Sequence, residues 1–166
     1  SVFTSDYDGT PMGAIEFQRN IERAAFVAGG ADYSAPTQTL ASFLGRRDKN
    51  EIGRIMPTYR DGRVKPCSLD TVLPAFICDE LRRGLLSFDR KLPGFACDDA
   101  VLTGVETRTS APVRILRDRE TMTAIGHDRI YPAGEGAGYA GGITSAAVDG
   151  VNTALAVMKR TAPFRD

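Results

Sequence analysis

Between Gly13 and Ala28 the apolar residues Ala14, Phe17, Ile21, Ala24, Ala25 and Ala28 recur at spacings of three and four. That periodicity predicts a helix with one buried face, closed by Gly29-Gly30. After Pro36 a short helical piece turns Leu40, Phe43 and Leu44 inward and breaks at Gly45, and the charged, irregular stretch from Arg46 to Gly62 reads as an exposed loop. A second strong helix is predicted over about Leu73 to Phe88, with Pro74 in its first turn, where a missing N–H costs nothing. Phe76, Ile77, Leu81, Leu85 and Phe88 form its apolar stripe, read as core, and Asp79, Glu80, Arg82 and Arg83 face water.

After Asp98 the pattern changes. Ala100 to Val105 and Val113 to Leu116 have the β-branched content and short length of strands, joined by the polar stretch Glu106 to Pro112, and Ile130 to Ala133 is a third short apolar run. A last helix runs from near Gly142 to about Arg160, with Ile143, Ala147, Val151, Leu155 and Met158 on one face. Ala146, Ala147 and Ala154 allow close approach to a sheet. The expected class is α+β, with a helical part over 1–98 and a strand–loop–helix part over 99–166. Three short strands and one helix make a poor independent domain and read as the final pieces of a larger sheet. Ser1 to Gly13 form a polar, turn-rich lead without signal features, and an expressed fragment of a longer chain is the expectation.

Composition narrows the function classes. The 166 residues are one domain's worth, with Lys+Arg 21 balanced by Asp+Glu 21, so neither nucleic acid nor an anionic membrane is suggested as a partner. No apolar run is long enough to span a bilayer. Cys67, Cys78 and Cys97 are odd in number, without a C-x-x-C or a nearby histidine, which argues against a disulfide framework or a zinc site and for the reducing cytoplasm. No metal site is expected.

The chemistry is concentrated in Ile130 to Gly150, where a short apolar run enters a loop of Gly134, Gly136, Gly138, Gly141 and Gly142 and a helix leaves it. Such a layout presents bare backbone N–H groups and a helix N-terminus to an anionic ligand, usually a phosphate. Gly136, Gly138 and Gly141 spell a literal G-x-G-x-x-G. A Rossmann fingerprint must, however, be followed by a second strand ending in an acidic residue about 20 positions on, and only Thr161 to Asp166 follow this helix. The loop therefore closes a fold instead of opening one. Glu135, among the glycines, offers a carboxylate to sugar or ribityl hydroxyls.

The blocks Gly104 to Ile115 (GVETRTSAPVRI) and Ile130 to Ile143 (IYPAGEGAGYAGGI), followed by Ser145-Ala146-Ala147, resemble the C-terminal part of bacterial uncharacterised FAD-dependent dehydrogenases, relatives of the NAD(P)/FAD-dependent oxidoreductases of the two-dinucleotide-binding-domain type. Gly13 to Gln18 and Ala31 to Gln38 (ADYSAPTQ) are similar to an upstream helical insert of the same family. The resemblance implies a split FAD domain of Rossmann-like build. An N-terminal segment, absent from this sequence, binds the ADP half, an inserted domain covers the flavin, and a C-terminal strand–loop–helix completes the site. It implies that Gly134 and Glu135 correspond to a late Gly-Asp motif near the ribityl chain or pyrophosphate. Gly141, Gly142 and Ile143 then fall where the helix start approaches the flavin ring, so that its dipole favours charge on the reduced ring. FAD, a small-molecule substrate, and NAD(P)H as electron donor or acceptor are the implied partners, and the fragment alone is expected to be inactive.

Other residues admit two readings each. Arg108 and Arg114 either belong with Glu106 to a solvated charge cluster or clamp a substrate carboxylate or cofactor phosphate. Tyr139 either stacks on the flavin or packs within the loop. His127 reads as a surface residue, Asp149 as exposed or locally paired, and no residue is singled out as a general acid or base. Outside flavin chemistry, a non-catalytic nucleotide- or phosphate-binding module and a helical interaction module remain as alternatives.

Overall fold

The structure, a computed structural model, describes residues 2–108 and 110–162. Ser1, Thr109 and 163–166, assigned from the sequence to the polar lead, the 106–112 connection and the tail, lie outside the described residues. Four helices and a three-stranded mixed sheet form an α+β chain, in the order α1 (Pro11–Ala28), β1 (Ala35–Thr39), α2 (Leu40–Phe43), β2 (Val64–Pro66), α3 (Ala75–Lys91), β3 (Val101–Thr103) and α4 (Ile143–Thr161). The chain divides into two compact units, one of residues 18–107 and one of residues 1–17 with 108–166, the division falling within α1.

Unit 18–107 holds the sheet and the core. β1 lies between β2, its parallel neighbour, and β3, its antiparallel one. The sequence reading found β3 but placed no strand at 35–39 or 64–66. Ala-Pro-Thr-Gln-Thr is a polar run, yet every residue of β1 is buried. Burial is permitted because the side chains are bonded. Thr37 Oγ1 donates to Leu102 O at 2.8 Å, and Gln38 Oε1 accepts from Leu69 N–H at 2.8 Å. Pro36 brings no N–H to the ladder, and its carbonyl accepts from Gly104 N–H beyond β3, while Ala35 N–H (to Arg63 O) and Cys67 N–H (to Thr37 O) bond on the β2 side. On this sheet sit Leu40, Phe43, Leu69, Cys78 and Ala96, with Leu44, Leu73, Leu85, Ala100 and Leu102 around them.

The helices follow their local signals. Thr10 Oγ1 accepts from Gly13 N–H at 2.9 Å and caps the start of α1. At its end Ala31 N–H reaches Phe26 O and Gly30 N–H reaches Val27 O, a Schellman closure with Gly30 at φ 98°. Pro74 caps α3, one residue outside the first turn where the sequence had put it. Its apolar stripe is less buried than expected. Cys78 is the buried residue of α3, whereas Phe76, Leu81 and Phe88 are exposed.

The cysteine environments make a direct test of this packing. Cys78 is wholly buried, Cys67 half-buried and Cys97 exposed, and burial pushes the Cys67 and Cys78 thiols up. We expect a thiol reagent near pH 8 to modify Cys97 first, Cys67 more slowly, and Cys78 only on unfolding. Early modification of Cys78, read by peptide mass mapping, would refute the core described here.

Candidate functional site

The glycine loop lies in the unit of residues 1–17 and 108–166. Neither of the strands expected here, 113–116 and 130–133, forms. Residues 113–117 instead run beside the loop. Ile115 N–H donates to Ala137 O at 3.1 Å, and Arg114 Nε donates to Gly138 O at 2.7 Å. The remaining pairing is two isolated bridges, Arg117 with Ala124 and Ala124 with His127. A strand needs a partner ladder, and these segments have the apolar content for one, but among the described residues no strand pairs with them.

The same lack shows in burial. Among the described residues of this unit, the buried ones are Ala14, Thr123, Ala124, Pro132, Ala137 and Thr153, with no Val, Ile, Leu, Met, Phe or Tyr among them. On α4 the apolar face predicted from the sequence exists but faces outward. Ile143 is 94% exposed, and Val148, Val151, Leu155 and Met158 are also exposed.

Despite the absent core, the loop is tightly held. Arg117 and Asp149 form a two-pronged ion pair with side chains only 7% and 15% exposed. Arg117 Nη1 lies 2.9 Å from Asp149 Oδ2, and Nη2 donates to Oδ1. Asp149 Oδ2 also accepts from Gly134 N–H at 2.8 Å, and Arg117 Nη1 donates to Pro132 O at 2.6 Å. The Arg117 guanidinium sits 3.7 Å from the centre of the Tyr139 ring, with that of Arg114 at 5.1 Å. The Tyr139 hydroxyl accepts from Arg117 N–H and donates to Ile115 O, both at 3.0 Å. Within the loop Gly138 N–H meets Glu135 O and Tyr139 N–H meets Gly134 O.

The structure thus brings Gly134, Glu135, Gly136, Gly138, Tyr139 and Arg114 together in one folded loop that leads through Gly141 and Gly142 into α4 at Ile143. Arg108 is exposed at the start of the same stretch of chain, and His127 is exposed in the 118–128 turn. Sequence reasoning gave Asp149 no more than a local or exposed role and passed over Arg117. Their spacing of 32 residues carries no periodic signal, and the pair is defined only by folding.

Individual glycines differ in what the chain itself demands. Gly138 has φ 82°, and a Cβ there would lie 2.6 Å from Val113 O. Gly136 has neither constraint, since a Cβ there meets nothing within 4 Å. Among the described residues, no acceptor meets the N–H groups of Glu135, Gly136 or Ala137. At the start of α4, Ser145 Oγ accepts from Gly142 N–H at 3.2 Å, and the N–H groups of the first helical turn have no partner within the helix.

Arg117 holds the Asp149 carboxyl below the usual aspartate range, with Gly134 N–H helping. The native state then binds that proton more weakly than the unfolded chain. The stabilisation is complete above the ordinary aspartate pKa, about 3.9, and is lost as pH falls through the depressed value. We expect Asp149→Asn to unfold with a shallower loss of stability than wild type below about pH 4, followed by circular dichroism. Identical acid profiles would show that Asp149 has no such role.

Against known proteins, residues 1–109 match the family described as FAD-dependent protein, C-terminal domain-like. The chain belongs to that family, a group of flavoprotein-associated domains. It is also 41% identical over 165 residues to an uncharacterized protein of Clostridium beijerinckii (strain ATCC 51743 / NCIMB 8052), an alignment covering 96% of this chain and 30% of that protein. The chain thus spans about 30% of the length of the curated relative it matches. No helix among the described residues is long and apolar enough to cross a membrane.

Proposed function

We propose that this chain supplies part of the FAD site of a flavin-dependent oxidoreductase. Residues 1–98 are the insert that covers the flavin, and 99–166 are the segment that returns to complete a Rossmann-like FAD domain. The observation that carries this reading is the unit of residues 1–17 and 108–166. It has a firmly held glycine loop with three unpartnered N–H groups, yet among its described residues no buried large apolar side chain and an exposed apolar face on α4. Such a unit is built as one part of a larger fold.

The donor set fits an FAD. The open space at Gly136 admits a close approach to the backbone, and the bare, exposed N–H groups of Glu135 and Gly136 suit pyrophosphate or ribityl oxygens. The Glu135 carboxylate is exposed for sugar hydroxyls, and the first turn of α4 from Ile143 offers its positive end to the ring. When bound, the flavin would supply the hydride chemistry, with NAD(P)H as the natural electron carrier. In this reading the residues here bind and orient the cofactor, and Arg108 and Arg114 are the candidates for holding a substrate anion.

The test is the visible spectrum of the longer polypeptide to which this reading assigns the chain. Retained or readily restored flavin absorption is expected. Gly136→Ala in that protein should weaken FAD binding roughly tenfold by intruding on the approach, at nearly unchanged urea midpoint. Flavin-free protein after gentle purification and FAD addition would overturn the proposal.

A further inference from the structure

Resting on the flavin reading, a second conclusion concerns residues that touch no ligand. We propose that Arg117 and Asp149 are positioning residues of the glycine loop, fixing Gly134–Tyr139 in the conformation that leaves the exposed Glu135 and Gly136 N–H groups open to a ligand. A buried ion pair is weak evidence for stability, because desolvating both charges offsets their attraction, whereas its directional bonds specify one geometry among many. Here the pair reaches the loop at two points and its entry at Pro132. Arg117 holds Pro132 O and lies over the Tyr139 ring, and Asp149 holds Gly134 N–H. Both ends of the six-residue loop are therefore tied, and the two internal bonds, Gly138 N–H to Glu135 O and Tyr139 N–H to Gly134 O, close it between them. None of these ties takes an N–H from Glu135, Gly136 or Ala137. The bonds avoid the groups a ligand would need, as pre-organisation of a binding loop requires.

Lysine cannot replace Arg117, because it lacks the planar fork that meets both carboxylate oxygens while lying on a ring. Asparagine at 149 keeps the shape and one acceptor but cannot receive both guanidinium donors. Ala154→Gly serves as the control, since it weakens α4 at an exposed position without touching the pair.

The experiment compares wild type, Asp149→Asn, Asp149→Ala, Arg117→Lys and Ala154→Gly in two readouts, amide hydrogen exchange by NMR on the full chain and FAD affinity by fluorescence titration of the longer protein. We expect exchange of the Gly138 and Tyr139 amides to rise roughly tenfold or more in Asp149→Ala and Arg117→Lys and less in Asp149→Asn. FAD affinity should fall in the same order, while the amides of Ala35 and of Thr37–Thr39 stay unchanged and Ala154→Gly moves neither loop amides nor affinity. Loop amides that exchange as in wild type, or that loosen equally in Ala154→Gly, overturn the proposal. If wild type binds no FAD, the flavin reading fails by itself, and the exchange data still decide whether the pair sets the loop.

Discussion

Alanine at position 138 should destabilise the unit of residues 1–17 and 108–166 by roughly 2–4 kcal/mol. Two independent penalties act there. At φ 82° an L side chain is strained, which costs about 1–2 kcal/mol. In addition, the new Cβ would stand 2.6 Å from Val113 O and 2.9 Å from Arg114 Cα, backbone atoms that cannot rotate away. Relief requires residues 113–114 to move off the loop, and that motion would stretch the Ile115–Ala137 and Arg114–Gly138 bonds. Gly136→Ala is the internal control, with no positive φ and an empty surrounding, and it should change stability by less than about 1 kcal/mol. Urea unfolding followed by hydrogen exchange at loop amides reads both variants. Equal stabilities for the two would mean that the close approach at Gly138 is absent in solution.

An effect of similar size is expected at Asn50, in the other unit. Its Nδ2 donates to Thr37 O at 3.0 Å and to Cys67 O at 3.1 Å, and its Oδ1 accepts from Thr39 N–H at 2.8 Å. One side chain in an irregular loop thereby closes the polar end of the central strand and ties it to the end of β2. Thr37 O keeps its bond from Cys67 N–H when Asn50 is removed, but the buried Thr39 loses the acceptor for its N–H. Asn50→Ala should cost roughly 2–4 kcal/mol, dominated by that orphaned donor. Asn50→Asp should be no milder, because although it keeps an acceptor for Thr39 N–H, it sets a carboxylate against the Thr37 and Cys67 carbonyl oxygens. The measurement is the urea midpoint of the full chain. A shift below about 0.5 kcal/mol would show that water replaces the amide at no loss.

How much was legible in the sequence follows from where each signal resides. The helices α1, α3 and α4 came from apolar periodicity and from local punctuation at Gly29-Gly30 and Pro74, all of which act within a few residues. The glycine loop was legible as a dense run. Asn50, Gln38 and Thr37 gave no sequence signal for a buried strand, because polar residues look exposed until their partners, 11 to 65 residues away, are known. The 113–116 and 130–133 segments misled in the opposite way. Their apolar, β-branched content is real, but a strand is a pairing, and among the described residues no sheet meets either segment.

The sequence by itself therefore determined the helical elements, the α+β class and the location of the glycine-rich loop, since each depends on short-range periodicity, local punctuation and glycine density. Tertiary structure decided which glycine is indispensable to the fold, which is Gly138 by its contact with Val113. It also decided that a polar run forms the central strand and that Arg117 and Asp149 hold the loop. Those outcomes depend on distances between residues remote in sequence, and such distances exist only once the chain has folded.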